Sequence, residues 1–197
     1  MDSLSFPYRR ATPDDAAALT DLVDIAGEGL ASYLWARQVQ EGETPQDVGR
    51  RRALREEGSF SFRNAVVADE GRGVVAALIG YPLANVPDPI PDDFPPMFVP
   101  LQELENLAAG TWYVNALAAY PDQRGQGHGT ALLGIAEGLA RGLGRRGVSM
   151  IVSDANPRAG RLYERCGFRA IESRPMVKET WDNPGSTWTL MMKEWTD

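Results

Sequence analysis

A glycine-rich segment in the second half of the chain has the residue types and spacing to bind a negatively charged group. It reads Arg-Gly-Gln-Gly-His-Gly-Thr at positions 124–130, follows an apolar run and leads into a segment with helical periodicity. The first amides of a helix have no partner within the helix and carry partial positive charge, and glycine lets the backbone approach a ligand closely. The spacing therefore predicts a backbone cradle for an anion, usually a phosphate.

Two widespread phosphate-binding motifs do not fit this segment. The dinucleotide fingerprint G-x-G-x-x-G would begin at Gly125 and require glycine at position 130, which is Thr130. The P-loop requires Gly-Lys followed by Ser or Thr, a tripeptide that the sequence lacks. The pattern that does fit is Arg-x-x-Gly-x-Gly, formed by Arg124, Gly127 and Gly129.

Composition excludes several other kinds of chemistry. The chain has one cysteine, Cys166, and one histidine, His128, so zinc centres with several Cys or His ligands are excluded and we predict no metal site. The net charge of −7 argues against binding to a nucleic-acid backbone. The start of the chain lacks a signal-peptide core, and no apolar run reaches the roughly 18 residues of a membrane span. We therefore predict a cytoplasmic protein without nucleic-acid or membrane partners.

Strands and helices that must position the segment follow from hydrophobic periodicity and from turn residues. We predict strands at about residues 6–10, 64–68, 73–81, 111–119, 148–153, 168–177 and 186–195. We predict helices at about residues 13–26, 33–40, 45–56, 101–109, 130–143 and 157–166. This order predicts an α/β (α+β) fold with a mixed, mainly antiparallel sheet and one or two parallel β-α crossings.

One long stretch is incompatible with regular structure. Residues 82–100 contain seven of the chain's fourteen prolines, and proline cannot continue a helix or a central strand. We interpret the stretch as a Pro-rich insertion in a single domain that spans residues 1–197. A lid, a dimer contact and a plain loop all remain open as its role.

The Arg-x-x-Gly-x-Gly spacing resembles the acetyl-CoA pyrophosphate loop of the GNAT superfamily of N-acetyltransferases. The strand at 114–119 is similar to the family's fourth strand, which precedes that loop. Residues 156–168, Asn-x-x-Ala-x-x-Leu-Tyr-Glu-x-x-Gly-Phe, resemble the family's late helix signature, and residues 9–16 its usual opening. The clear resemblance covers residues 113–168.

The resemblance implies where acetyl-CoA, the co-substrate, would lie. The family's fourth and fifth strands are parallel and splay apart, and acetyl-CoA occupies the gap. Backbone groups of Leu117, Ala118 and Ala119 would pair with the pantetheine, Asn156 would reach the pantetheine arm, and Tyr163 would point at the thioester sulfur. The diphosphate would be held by Arg124, Gly125, Gln126, Gly127, His128, Gly129 and Thr130.

The resemblance also implies direct transfer of an acetyl group to a primary amine of a small molecule. Tyr163 would act as the acid toward the leaving thiolate. Many family members place a glutamate on the fourth strand as the general base, whereas this chain has Asn115, which can orient a water or hold the substrate but cannot accept the proton. Glu103, Glu105 and water alone remain open as the base.

Other readings of the same residues stay open. The acceptor can instead be a peptide or protein amine, or the chain can be a non-catalytic acyl-CoA-binding module. A homodimer is a further expectation, because the family often dimerises.

Several single side chains have expected environments. We expect the His128 ring to face solvent or the edge of the cofactor, and Cys166 to be a small buried hydrophobe. Asn156 before a proline is also a good helix cap. Core positions are expected for Tyr33, Trp35, Tyr81 and Tyr113.

Overall fold

The computed structural model describes residues 4–195, which form seven strands and six α-helices. The strands are β1 (Tyr8–Arg10), β2 (Ala65–Asp69), β3 (Val74–Pro82), β4 (Trp112–Ala119), β5 (Gly147–Ser153), β6 (Arg169–Pro175) and β7 (Thr187–Glu194). The helices are α1 (Ala16–Ala26), α2 (Leu30–Ala36), α3 (Pro45–Ala53), α4 (Val99–Leu107), α5 (His128–Gly142) and α6 (Pro157–Arg165). The predicted order of elements is confirmed, although α2 begins and ends earlier than expected.

These elements fall into two compact units. The N-terminal unit comprises the described residues up to Gly80 together with 115–133, and the C-terminal unit comprises 81–114 together with the described residues from 134 onward. A single domain over the whole chain stays a prediction.

The N-terminal unit combines three antiparallel strands with α1, α2 and α3. β2 pairs with β1 on one side and with β3 on the other. All but the last residue of β2 is buried, which explains its unbroken apolar sequence. The core of the unit includes Leu19, Leu22, Trp35 and Val67, each at most 4% exposed.

The C-terminal unit contains the one parallel strand pair among the pairings described within the units. β4 pairs with β5 over Trp112–Val114 and Val148–Met150. β7 pairs antiparallel with both β5 and β6. The fold class is therefore mixed α/β with mainly antiparallel strands, as predicted. The divergence of β4 and β5 beyond these residues stays a prediction.

The Pro-rich stretch is irregular between the end of β3 at Pro82 and the start of α4 at Val99, so the prediction for 82–100 is wrong at its two ends, where a proline closes a strand and another lies in the first turn of a helix. The irregular part is held by hydrogen bonds at several points. Between β3 and α4 it forms only turns and bends. Leu83 N donates to Thr111 O at 2.9 Å, and the Asn106 side chain on α4 bonds both backbone groups of Asp88, accepting from its N–H at 3.0 Å and donating to its C=O at 2.8 Å. A side-chain amide that pairs with a peptide group in this way holds Asp88 against α4.

Among the helices formed by residues 4–195, none has the length and apolar character that crossing a membrane requires.

Candidate active site

The glycine-rich segment adopts a backbone that L-residues disfavour. Gly125 and Gly127 have φ angles of +85° and +92°, in the left-handed region that glycine enters without steric cost. A Cβ built at either position would meet no atom within 4 Å. The glycines are thus needed for the turn itself, and the space beside them is open for a ligand.

The amides of this segment are not used inside the protein. Across the described part of the chain, no hydrogen bond is donated by the backbone N–H groups of residues 125–130, whereas Ala131 N donates to Gly127 O at 3.1 Å as α5 begins. α5 is 15 residues long, so its N-terminal partial charge adds to these donors. The geometry has the features expected of an anion site.

Side chains around the segment are mostly exposed. Arg124 is exposed, and its Nε lies 3.4 Å from the carbonyl oxygen of Ala119 at the end of β4. Gln126 donates to Gln123 Oε1 at 2.9 Å. Leu117, Ala118 and Ala119 are half-buried, and Asn115 is exposed between two buried neighbours. Asn115 is thus accessible to solvent and has no core role.

The prediction for the His128 ring is wrong. The residue is 6% exposed, and its ring packs edge-on against Tyr8, with the ring centroids 6.2 Å apart. Nδ1 lies 3.3 Å from the Tyr8 hydroxyl, and Nε2 lies 3.4 Å from Glu70 Oε1. The ring turns inward because β1 and the β2–β3 turn offer it polar partners and burial. Its backbone amide stays a predicted ligand of the diphosphate.

The positions of Asn156 and Tyr163 are set by the helix α6. Asn156 is the N-cap, and its Oδ1 accepts a hydrogen bond from Ala159 N at 3.1 Å. The capping role is therefore confirmed, and a contact with pantetheine stays a prediction. Tyr163 is 7% exposed and packs against Phe168. Burial raises the pKa of the Tyr163 hydroxyl to about 12, so it is a neutral phenol at physiological pH.

Cys166, predicted to be buried, is half-buried at the C-terminal cap of α6. The helix ends there, so its last side chains are covered on one side only. Among the predicted core aromatics, Trp35 and Tyr113 are buried, and Tyr33 and Tyr81 are half-buried.

The sequence did not predict that one carboxyl group and three phenols influence one another electrostatically. Together with burial, the charge of Glu105 on α4 raises the pKa of Tyr81 and of Tyr113, and Tyr163 also raises the pKa of Tyr113. The Tyr81 and Tyr113 rings are 5.7 Å apart between centroids. Burial raises the pKa of the Glu105 carboxyl to about 7, and the nearby charge of Asp88 contributes to the rise. Burial likewise raises the pKa of the Tyr81 and Tyr113 hydroxyls. We refer to Glu105, Tyr81, Tyr113 and Tyr163 as the Glu105 cluster.

The two glutamates left open as base candidates have different surroundings. Glu103 Oε2 accepts a hydrogen bond from Arg174 Nε at 2.7 Å, so its carboxylate is committed to an ion pair with β6. Glu105 has no cationic partner among the residues that the structure describes. A carboxyl group that titrates near neutral pH is suited to accept a proton from a substrate. No signal in the sequence pointed to the influence of Asp88 on Glu105, because Asp88 is placed by the tertiary contact of its backbone with Asn106.

Comparison with known proteins identifies the family. Residues 30–168 match the family model described as Acetyltransferase (GNAT) family, which covers more than half of the chain. No curated protein shows a significant sequence match.

Solved structures agree in fold. An N-acetyltransferase from Staphylococcus aureus Mu50 has a TM-score of 0.67 at 15% identity, and the alignment covers 94% of this chain and 99% of that one. Ribosomal-protein-alanine N-acetyltransferase from Brucella melitensis has a TM-score of 0.62 at 20% identity, covering 95% and 99%. The acetyltransferase yncA from Salmonella typhimurium, solved with acetyl-CoA, has a TM-score of 0.59 at 20% identity, covering 95% and 92%. At these identities the likeness shows the fold, and the match over residues 30–168 shows that the chain belongs to the GNAT acetyltransferase family.

Proposed function

We propose that the protein is an acetyl-CoA-dependent N-acetyltransferase that transfers an acetyl group directly to a primary amine of a small molecule. The observation that carries the proposal is the Glu105 cluster, in which a half-buried carboxyl group with a pKa of about 7 influences the titration of Tyr81 and Tyr113, and Tyr163 in turn influences Tyr113. Acyl transfer from a thioester to an amine requires a base for the amine and an acid for the sulfur, and this cluster offers both types of group.

The residues of the glycine-rich segment fit the diphosphate of acetyl-CoA. Their amides donate to no group of the described chain, and the backbone at Gly125 and Gly127 leaves open space beside them. The Arg124 guanidinium is exposed and adds a positive charge. In this proposal the backbone of Leu117–Ala119 and the side chain of Asn156 hold the pantetheine, as the family resemblance implies.

When bound, acetyl-CoA supplies the carbonyl carbon to which the amine nitrogen bonds as the carbon–sulfur bond breaks. Alkyl ammonium groups have a pKa of roughly 10, so a base must take a proton before or during attack. Glu105 accepts a proton from the amine nitrogen, and Tyr163 donates its hydroxyl proton to the sulfur. An ammonium substrate first releases one proton to solvent to give the neutral amine. The proton that Glu105 then takes returns to the Tyr163 phenolate through solvent, so the reaction of the neutral amine involves no net change in protons.

Asn115 replaces the glutamate that many family members carry on the fourth strand, and Glu105 on α4 takes over the task of the base in this proposal. Asn115 is exposed, so it is free to orient the acceptor or a water through its amide. Asn106 acts as a positioning residue, because it holds Asp88 where its charge raises the pKa of Glu105.

Release of the CoA thiol in the presence of a panel of amines tests the proposal. We expect turnover with small primary amines and a new acetylated product by mass spectrometry. Turnover with peptides alone would move the acceptor to a peptide or protein amine. CoA binding without turnover on any amine would contradict the proposal and favour a non-catalytic acyl-CoA-binding module.

A further inference from the structure

His128 is the one side chain of the glycine-rich segment that the N-terminal unit encloses. It lies between Gly127 and Gly129, and it is 6% exposed while Arg124, Gln126 and Thr130 are exposed. Its ring reaches Tyr8 on β1 and Glu70 in the β2–β3 turn. The segment is thus attached to the strands of its unit through an imidazole.

The two ring nitrogens have different environments. Nδ1 accepts from the Tyr8 hydroxyl over 3.3 Å when the imidazole proton is on Nε2. Nε2 is buried, lies 3.4 Å from Glu70 Oε1, and has no hydrogen bond in the described part of the chain. A buried polar ring is held in one orientation by such contacts, because losing them leaves its nitrogens desolvated and unpaired.

The neighbours of His128 cannot hold the backbone themselves. Gly127 has an open Cβ position and a φ of +92°, and glycine loses more conformational freedom on ordering than any other residue. The amides of residues 125–130 donate to no group of the described chain, so they do not fix the turn either. The side-chain hydrogen bonds of Arg124 and Gln126 lie at the exposed surface, so the buried side-chain restraint on the turn is the imidazole of His128.

From these contacts we infer that His128, Tyr8 and Glu70 position the diphosphate-binding amides without touching the diphosphate. This inference rests on the proposed function, in which those amides hold the diphosphate of acetyl-CoA. The imidazole fixes the backbone direction at Gly127–Gly129, so the donors converge before the ligand arrives. Tyr8 and Glu70, far from the segment in sequence, thereby contribute to co-substrate affinity. His128 is a positioning residue rather than a ligand through its ring.

Calorimetric titration of the full chain with CoA and with pantetheine tests this inference, since pantetheine lacks the diphosphate and the nucleotide. Tyr8→Phe removes only the hydroxyl and should weaken CoA binding about threefold to tenfold, the loss expected for one hydrogen bond. Pantetheine affinity should stay unchanged. His128→Phe keeps the ring volume and should weaken CoA binding at least as much. His128→Asn retains an acceptor near Nδ1 and should restore part of the loss.

Tyr120→Phe is the matched control, because the Tyr120 hydroxyl donates to Asp21 at 3.2 Å in the same unit. It should leave CoA affinity unchanged. Thermal unfolding of each variant checks that it is folded. If His128→Phe is destabilised, the CoA affinity of Tyr8→Phe alone tests the positioning role.

Three outcomes would overturn the inference. If Gly127→Val weakens CoA binding and Tyr8→Phe does not, the positioning role is wrong while the loop assignment stands. If Tyr8→Phe weakens CoA and pantetheine equally, the effect is general and not directed at the diphosphate. If Gly127→Val leaves CoA affinity unchanged, the loop assignment fails and the positioning role fails with it.

Discussion

The glycine-rich segment and the Glu105 cluster present polar groups in opposite ways. The segment offers exposed backbone amides whose direction is set by glycine conformations and by the start of α5. The cluster offers side chains whose burial changes their titration, with the pKa of Glu105 raised to about 7 and that of Tyr163 to about 12. Amides that never titrate suit a constant anionic ligand, whereas groups with shifted pKa values suit proton transfer.

If the proposed function is right, this difference predicts that the segment determines CoA affinity and that the cluster determines the rate of acetyl transfer. Changes in the segment should alter the dissociation constant of CoA and leave the rate at saturation nearly constant. Changes in the cluster should alter the rate and its pH dependence and leave CoA binding nearly constant. Four substitutions, taken in order of expected effect, examine this division.

Glu105→Gln should lower kcat at least about 100-fold, because general base catalysis contributes that much or more. In the wild type, kcat/KM should fall as pH drops below about 7, since a protonated carboxyl cannot accept the amine proton. This additional fall below about pH 7, the acidic limb, should disappear in the variant, which keeps only the decline caused by protonation of the amine. Steady-state kinetics across pH and CoA calorimetry measure both effects.

Glu103→Gln is the companion variant, since Glu103 is paired with Arg174. It should retain most of the activity and the acidic limb. If the acidic limb is lost in Glu103→Gln and kept in Glu105→Gln, then Glu103 is the base and the assignment to Glu105 is wrong.

Gly127→Val should weaken CoA binding about tenfold or more, with a smaller effect on kcat at saturating acetyl-CoA. The residue has a φ of +92°, so a β-branched side chain strains the turn and also occupies the open face beside the amides. Gly58→Val is the matched control, because Gly58 has a φ of +93° and an equally open Cβ position. Equal CoA affinities in the two variants would show that the glycine-rich segment does not bind CoA.

Tyr163→Phe should lower kcat about tenfold without changing CoA affinity. A thiolate is already a good leaving group, with a pKa near 8.5 by analogy with cysteine, so its acid contributes less than the base. Stopped-flow or steady-state release of the CoA thiol reports the change. An unchanged kcat would leave Tyr163 as a packing residue against Phe168.

Asp88→Asn should change the rate least of the substitutions, and its effect should be confined to the pH dependence of kcat/KM. The negative charge of Asp88 raises the pKa of Glu105, so its removal lowers that pKa and moves the acidic limb of kcat/KM to lower pH. Asn106→Leu, which removes the amide that holds Asp88, should move the limb in the same direction. A limb that stays in place in both variants would show that Asp88 has no influence on Glu105.

Local signals were sufficient for much of the fold and for part of the site. The proline at position 157 and the Asn156 cap predicted the start of α6, and the cap hydrogen bond is present. The hairpin of β2 and β3 and the closing pair of β6 and β7 followed from turn residues and alternation, and both are antiparallel. In each case neighbouring residues determine the geometry.

Long-range packing accounts for what sequence reasoning missed. The His128 ring was expected to face solvent or the edge of the cofactor because glycines flank it in the chain, and contacts with Tyr8 and Glu70 explain its burial. Glu103 and Glu105 are two residues apart on α4, and nothing in that spacing told which one would pair with Arg174 on β6.

By itself, the sequence determined the order of helices and strands, the glycine-rich turn before α5, and the family resemblance, because these depend on residues close together in the chain. Only the tertiary structure decided that one glutamate is ion-paired, that the other is half-buried and influences the titration of two tyrosines, and that the loop histidine faces inward. Ionisation and burial depend on groups that lie far apart in sequence, so they are set by how the elements pack.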